Sequence, residues 1–380
     1  MAAESSSAGA QHAPIDLRDP LFREDPHAIL RQIRESGRVA RDVMGVWLVT
    51  RHADCSAGLR SSRLSREPWR IPLYRQMRPF FADSTLERTI ENWMLFNDPP
   101  KHTRLRRLAN SAFRPPVIDA MRERIAAVAD ELLDALPSDE PDLISGFAQP
   151  LPVRVICDIL GLPPQDFSQT KAWSDALAIV VEPVTRRELR VAADRAAQQM
   201  VEYLRAHIAR HRAQAIRDDL LGALIAAQDE QGALDEQELL ANLVLLFIAG
   251  HETTTNLIGN GVLALLRHPD ELARLRANPQ LLPTAVEEAL RYEGSVNMVS
   301  RQTIEPYPVG DVVIPGGGET IYFLVGAANR DPEAFAQPDR LDVGRSPNPH
   351  LGFGAGIHYC VGAPLARLEG QIALERLLAR

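Results

Sequence analysis

The sequence has few cysteines and no long uninterrupted apolar run. Its 380 residues include three cysteines, an odd and small number that excludes a disulfide framework and fits a reducing compartment. The longest apolar stretch, Leu239 to Gly250, is interrupted by Asn242. That stretch is too short to cross a bilayer, which takes about 20 apolar residues. We therefore expect a cytoplasmic protein that does not associate with a membrane.

The chain also lacks an excess of positive charge and a signal peptide. A net charge of −8 and an isoelectric point near 5.7 argue against general nucleic-acid binding. Residues 1–14 are rich in Ala, Ser and Gly and have no apolar centre, so we expect a disordered terminus and not a signal peptide. Because there is no internal repeat and no long linker, residues 15–380 are expected to form a single domain. We also expect the protein to be a monomer.

Helical patterns dominate the rest of the chain. Apolar residues recur at helical spacing in Pro26 to Ser36, Val117 to Leu136, Arg187 to Arg212 and Asp235 to Arg267. The last of these begins with Asp235 and Glu238, a capping-box pattern, and His268-Pro269 ends it. Strand patterns are confined to Gly45 to Thr50 and Tyr307 to Val325. The sequence therefore predicts a mainly α protein with a small β portion.

Cys360 lies in a glycine-rich loop, Phe353 to Gly362, that leads into a helix. Helix N-termini favour the thiolate form of cysteine, and one cysteine thiolate can serve as the axial ligand of a haem. A dinucleotide-binding fingerprint fails because Ile357 stands where a glycine is needed. A cysteine hydrolase would need a partner base, a role that the sequence does not assign to His358. An ordinary cysteine at a helix start remains an alternative.

The centre of the longest predicted helix carries residues that suit a helix poorly. Ala249-Gly-His-Glu-Thr-Thr-Thr255 places a glycine, which costs about 1 kcal/mol in a helix interior, beside an acid and three threonines. Several unfavourable choices in one place predict a functional bend. The alternative is a kink that relieves packing, with Glu252 in solvent. A zinc-protease motif is excluded because position 255 is Thr and not His.

Several charged residues predict a binding site only when they are considered together. Glu288 and Arg291 share a helix face, and alone they predict a surface ion pair worth less than about 1 kcal/mol. His102 and Arg106 share another helix face. Arginine binds carboxylates in a bidentate way. The residues that could clamp the carboxylates of a haem are His102, Arg106, Arg301 and His358.

Taken together, these motifs resemble the cytochrome P450 haem-thiolate monooxygenases, in particular the soluble bacterial type. The resemblance extends from the strand at Trp47 to Arg380, and the loop motif around Cys360 is highly specific. The matching motifs are Phe353-x-x-Gly356-x-His358-x-Cys360-x-Gly362, Ala249-Gly250-x-Glu252-Thr253, Glu288-x-x-Arg291 and His102-x-x-x-Arg106. The resemblance implies a cytochrome P450-like fold that holds haem between the long central helix and the Cys360 loop.

The resemblance also implies a role for each matching residue. Cys360 would bind the iron of haem b, iron protoporphyrin IX, and Phe353 would pack beside its sulfur. His102, Arg106, Arg301 and His358 would hold the two propionates. Ala249 and Gly250 would contact the haem, and Gly250 and Thr253 would open the helix and leave room for O₂. Glu252 and Thr253 would deliver protons during oxygen activation. Arg340 would complete a structural triad with Glu288 and Arg291.

The expected reaction inserts one atom of O₂ into a bulky apolar molecule, by hydroxylation or epoxidation, as in polyketide and other secondary-metabolite tailoring. Electrons would pass from NAD(P)H through a ferredoxin reductase and a ferredoxin, which would dock on Arg104, Arg107 and Arg367. Expected pocket walls are Trp69 to Trp93, Leu177 to Val184, Ala249 and Ser295 to Val299.

Two alternatives remain, a peroxide-driven peroxygenase or fatty-acid hydroxylase, and a haem-thiolate ligand-binding protein without activity. The Glu252–Thr253 pair disfavours both, because neither needs protons for O₂ activation. Family members usually continue beyond the helix that follows Cys360 with short β segments. The chain stops at Arg380, so we expect either a truncated carboxyl terminus or an absent tail.

Overall fold

Helices form most of the computed structural model, which describes residues 15–19, 22, 24–81, 83–179, 187–213, 221–222, 224–225 and 235–380. The disorder expected for residues 1–14 lies outside these ranges. The helices are α1 (Pro26–Ser36), α2 (His52–Arg60), α3 (Pro72–Met77), α4 (Thr85–Glu91), α5 (Lys101–Ala112), α6 (Pro115–Asp119), α7 (Arg122–Asp134), α8 (Pro150–Ile159), α9 (Phe167–Ala178), α10 (Arg187–Ala213), α11 (Glu236–Arg267), α12 (Pro269–Ala277), α13 (Leu282–Tyr292), α14 (Val325–Ala328) and α15 (Ala363–Leu378).

A mixed sheet of five strands stands beside the helices. Its order is β1-β2-β7-β4-β3, with β2 and β7 parallel and the other neighbours antiparallel. The strands β5 and β6 form a separate pair. The strands are β1 (Val39–Arg41), β2 (Trp47–Val49), β3 (Leu64–Ser65), β4 (Val299–Thr303), β5 (Tyr307–Val309), β6 (Val312–Ile314) and β7 (Thr320–Phe323). The small β portion predicted from the sequence is confirmed, although β1, β3 and β4 lie outside the two segments whose patterns predict strands.

The long helix α11 crosses the main core. Asp235 accepts a hydrogen bond from the backbone of Glu238, whose side chain accepts one in return, so the predicted capping box is confirmed. The helix is 32 residues long and packs against α8, α10 and α15. In the described ranges, no helix combines the length and apolar character that a membrane crossing requires.

The segment predicted as one helix from Val117 to Leu136 is two helices. Pro115 and Pro116 begin α6, which ends at Asp119, and α7 begins at Arg122. Both helices contribute to the same core, through Ile118 and Ile125. The apolar spacing continues across the junction, which is why the sequence pattern conceals it.

Glu288 and Arg291 form a fully buried ion pair on α13, so the surface interpretation is wrong. Two guanidinium nitrogens of Arg291 donate to the two oxygens of Glu288, each over 2.8 Å. The prediction that Arg340 is the third member of the triad is also wrong, because its side chain is 62% exposed and lies 3.8 Å from Glu271. Arg345 takes that place and donates to both Glu288 oxygens at 3.1 and 3.0 Å.

The ordering of the Pro- and Asp-rich segment before the Cys360 loop depends on this buried triad. Arg291 also donates to the carbonyl oxygens of Asn329, Pro338 and Arg340, and Glu288 accepts from the backbone N–H of Asp342. An irregular segment has few backbone partners of its own. The triad therefore replaces the missing ladder of hydrogen bonds and fixes the path of the chain toward the loop.

Replacing Glu288 by Gln should lower the free energy of unfolding by about 3–5 kcal/mol, because it leaves two buried guanidinium groups without an anion. Urea unfolding of the purified protein measures this change. Arg340→Gln is the matched control and should stay within about 0.5 kcal/mol of the wild type. Equal destabilisation by both substitutions would contradict the assignment of Arg345.

Candidate active site

The Cys360 loop has a shape that only glycine allows at two positions. Gly354 and Gly356 have φ angles of 70° and 72°, in the left-handed region. A Cβ atom at Gly356 would also lie 2.7 Å from the carbonyl oxygen of Leu59. The backbone N–H of Cys360 donates to the carbonyl oxygen of Phe353 over 2.9 Å, which closes the loop. The loop therefore delivers Cys360 to a fixed position just before α15.

The Cys360 side chain is exposed, and neighbouring groups act on the charge of its thiol. Burial is the main cause that raises its pKa. The backbone of Gly362, the charge of Arg106, the backbone of Ala363 and the charge of Arg367 act against that rise and stabilise the thiolate.

The other two cysteines lack this environment. Cys55 and Cys157 are buried, and burial raises the pKa of both thiols, that of Cys157 to about 12. Such cysteines are inert. In the described part of the chain, no group of three or more His, Cys, Asp or Glu side chains is arranged to hold a metal ion. Any metal chemistry of these residues therefore centres on a single thiolate.

The middle of α11 has one open face. Ala249, Glu252, Thr253 and Asn256 are exposed, whereas the residues on the other faces of this helix are mostly buried. Their spacing places them on one face. The helix α11 packs against α15, the helix that follows Cys360. Ala249, Glu252 and Thr253 thus share one exposed face of α11, and their roles at the site stay a prediction.

The predicted opening of α11 at Gly250 is not seen as a break, since the helix is continuous from Glu236 to Arg267. Thr253 Oγ1 donates to the carbonyl oxygen of Ala249 over 2.9 Å, and Ser295 Oγ donates to the carbonyl oxygen of Thr253 over 2.6 Å. A Cβ atom at Gly250 would make only ordinary contacts, 3.7 Å from Ile156. Neighbouring protein therefore does not require glycine there.

The four predicted carboxylate-binding residues lie close together, on α5, β4 and the Cys360 loop. His102 and Arg301 are each 3% exposed, and the rings of His102 and His358 are 4.3 Å apart. Burial, Arg301, His102, Arg66 and Arg106 together lower the pKa of His358 to about 2. Burial and the charge of Arg66 lower the pKa of Arg301 to about 9. This cluster is positive and poorly solvated.

Arg66 belongs to the same cluster and was missed by sequence reasoning. Burial lowers its pKa to about 10, and its guanidinium donates to the carbonyl oxygen of Ser300 over 3.1 Å. Its position follows from the pairing of β3 with β4, in which Ser65 stands opposite Gln302. A lone arginine after a strand of two residues gives no signal before that pairing is known.

Among the residues that the structure describes, no carboxylate forms an ion pair with Arg66, Arg106 or Arg301. Asp98 is the carboxylate whose charge acts on Arg301 and His102, and its oxygens already accept from the Ser65 hydroxyl and the Arg66 backbone N–H. Within the described residues, Nδ1 of His102 and Nε2 of His358 have no hydrogen-bond partner. Buried cations and unpaired buried nitrogens are unfavourable. The two propionates of a haem would satisfy both deficits, so the residues fit this group.

The predicted docking arginines differ in their surroundings. Arg104 donates to Glu238 over 2.6 Å, and Arg367 binds both oxygens of Glu287 at 2.6 and 2.8 Å. Their charges are therefore already balanced by carboxylates. Arg107 is exposed and remains available for a docking face.

Some of the predicted pocket walls belong to the core. Trp93 and Leu177 are 0% exposed and pack in the main hydrophobic cluster, so they line no cavity. Ser295 to Val299 and Trp69 are partly exposed, as a wall requires. Residues 180–184 of the predicted wall lie outside the described ranges.

Comparison with known proteins yields one family. Residues 167–380 match the family model described as cytochrome P450. The chain is 43% identical over 369 residues to cytochrome P450 107B1 of Saccharopolyspora erythraea, covering 95% of this chain and 89% of that protein. It is 41% identical over 340 residues to mycinamicin IV hydroxylase/epoxidase of Micromonospora griseorubida, covering 88% and 81%. The solved structure of PksS, the bacillaene polyketide synthase cytochrome P450 of Bacillus subtilis 168, matches with a TM-score of 0.86 at 36% identity, covering 96% and 91%.

Proposed function

The chain belongs to the cytochrome P450 family and is a monooxygenase of that family. We propose that it hydroxylates or epoxidises a bulky apolar secondary metabolite of the polyketide type. Two relatives support the substrate class, because one is named a hydroxylase/epoxidase of mycinamicin IV and the other a polyketide synthase P450. The reaction type rests on the exposed face of α11, which carries Glu252 and Thr253, and on the accessible thiol of Cys360.

The cofactor we assign to the site is haem b. Cys360 would ligate its iron, and Arg66, His102, Arg106, Arg301 and His358 would bind its propionates. When bound, the haem supplies O₂ binding and O–O cleavage, which electron donation from a thiolate ligand favours. The protein holds the reacting groups in place and limits access by water. Phe353, whose carbonyl oxygen accepts from the Cys360 N–H, keeps the sulfur oriented.

Proton delivery is the task we assign to the open face of α11. Glu252 is exposed and can take a proton from solvent. Thr253 is one residue further along, and its hydroxyl would pass on a proton by releasing its hydrogen bond to the carbonyl oxygen of Ala249 and accepting a proton in turn. The Ser295 hydroxyl holds the Thr253 carbonyl group, which keeps this turn in place.

The electrons are expected to come from NAD(P)H through a ferredoxin reductase and a ferredoxin. Arg107 is the exposed cation we place at the docking site, since Arg104 and Arg367 are paired with carboxylates. An acidic ferredoxin would be attracted to such a site, more strongly at low salt.

The proposal is tested by turnover of a macrolide or similar polyketide with NADPH, ferredoxin and reductase under ¹⁸O₂. We expect product that carries one ¹⁸O atom and depends on all three redox components. A parallel reaction receives hydrogen peroxide alone. Oxidation by peroxide without any turnover in the complete system would contradict the monooxygenase and favour a peroxygenase.

Thr253→Ala should keep the haem but uncouple NADPH oxidation from product, so that hydrogen peroxide accumulates. The reason is the loss of the hydroxyl that passes protons from Glu252. Thr255→Ala is a matched control, because Thr255 Oγ1 makes the same bond, 2.9 Å to the carbonyl oxygen of His251, on a buried face. The ratio of product to NADPH measures coupling. Unchanged coupling in Thr253→Ala would remove Thr253 from oxygen activation.

A further inference from the structure

Glu287, which precedes the buried Glu288, forms an ion pair that the matching motifs do not use. Arg367 of α15 donates through Nε and Nη2 to its two carboxylate oxygens, at 2.6 and 2.8 Å, and His350 Nε2 lies 3.0 Å from one of them. Burial opposes ionisation of Glu287, but the hydrogen bonds from Arg367 and His350 outweigh it and lower its pKa to about 2. Glu287 is therefore a carboxylate at neutral pH.

His350 joins this pair as a neutral ring. Its Nδ1 accepts the backbone N–H of Gly352 over 3.0 Å and therefore carries no proton. The ring proton is then on Nε2, which donates to Glu287. The charges in this group are the negative charge of Glu287 and the positive charge of Arg367.

Arg367 contacts the Cys360 loop near both of its ends, at Phe353 and at Tyr359. The guanidinium of Arg367 lies 4.6 Å from the centre of the Phe353 ring, and its Nη1 donates to the Tyr359 hydroxyl over 3.2 Å. The carbonyl oxygen of Phe353 in turn accepts from the Cys360 N–H. Both charges are thus attached to the loop that carries Cys360, because Arg367 contacts Phe353 and Tyr359 and Glu287 binds Arg367.

We propose that Glu287 and Arg367 are positioning residues whose opposite charges set the reduction potential of the iron bound by Cys360, an inference that rests on the haem-thiolate function proposed above. Reduction adds an electron at the iron, so a nearby cation favours it and a nearby anion opposes it. The paired charges largely cancel. Both side chains are only partly exposed, 26% and 31%, so solvent and salt screen them incompletely.

The charge model predicts shifts of opposite sign. Glu287→Gln leaves the Arg367 cation uncompensated beside the Cys360 loop and should raise the reduction potential. Arg367→Gln leaves the Glu287 anion, which neutral His350 does not cancel, and should lower it. The double variant should lie between the two single variants, near the wild type. If the pair served only as a brace for the loop, the two single variants would shift in the same direction.

The test is a redox titration of the haem-loaded proteins, with the ferrous carbon monoxide spectrum recorded for each. Arg367→Lys keeps the charge and should stay closer to the wild type than Arg367→Gln. Arg205→Gln and Glu236→Gln, which break an exposed ion pair of 2.8 Å between α10 and α11, are matched controls and should not shift the potential.

Opposite shifts support the inference, and shifts of the same sign, or none, overturn it. If Arg367→Gln does not retain haem, the sign for Glu287→Gln decides alone: a rise supports the inference and a fall overturns it. A wild-type carbon monoxide spectrum without the thiolate signature would instead contradict the proposed function, so the two failures are distinguishable.

Discussion

Buried positive charge that the protein does not neutralise is the constraint on which the site depends. Arg66 and Arg301 meet next to His102 and His358, and burial lowers the pKa of all four. Their nearest carboxylate, Asp98, is already engaged by Ser65 and Arg66. A fold keeps such a cluster only if a ligand supplies the anions. Under the proposed function a haem with two propionates would do so, and its position would then decide what Cys360 and α11 can do.

In contrast to the cation cluster, the negative charges of two adjacent glutamates on α13 are neutralised within the protein. Glu288 is neutralised inside the protein by Arg291 and Arg345, and this triad shapes the segment that leads to the loop. Glu287 is neutralised by Arg367 and holds the loop itself. One short helix therefore fixes both the approach to Cys360 and the surroundings of its sulfur. The cation cluster would instead bind the cofactor.

The sequence predicts features that depend on local pattern and misses those that depend on distant pairing. The cap of α11 and the glycines of the loop were predictable, because their causes lie within a few residues. Arg66 was not, since β3 must first pair with β4. The sequence does not distinguish Arg345 from Arg340, because the path of an irregular segment decides which guanidinium turns inward. Trp93 was assigned to a pocket wall because apolar core and apolar wall have the same composition.

Under the proposed function, the cation cluster binds the carboxylates of the cofactor. The most direct test compares the binding of haem and of haem dimethyl ester to protein produced without haem, under identical salt and pH. Both have the same ring and iron, but the ester has no propionate charge. Charge-assisted hydrogen bonds are worth about 1.5–3 kcal/mol each, so the ester should bind more than about 100-fold more weakly. Equal affinity for haem and its dimethyl ester would show that the cation cluster does not bind the propionates.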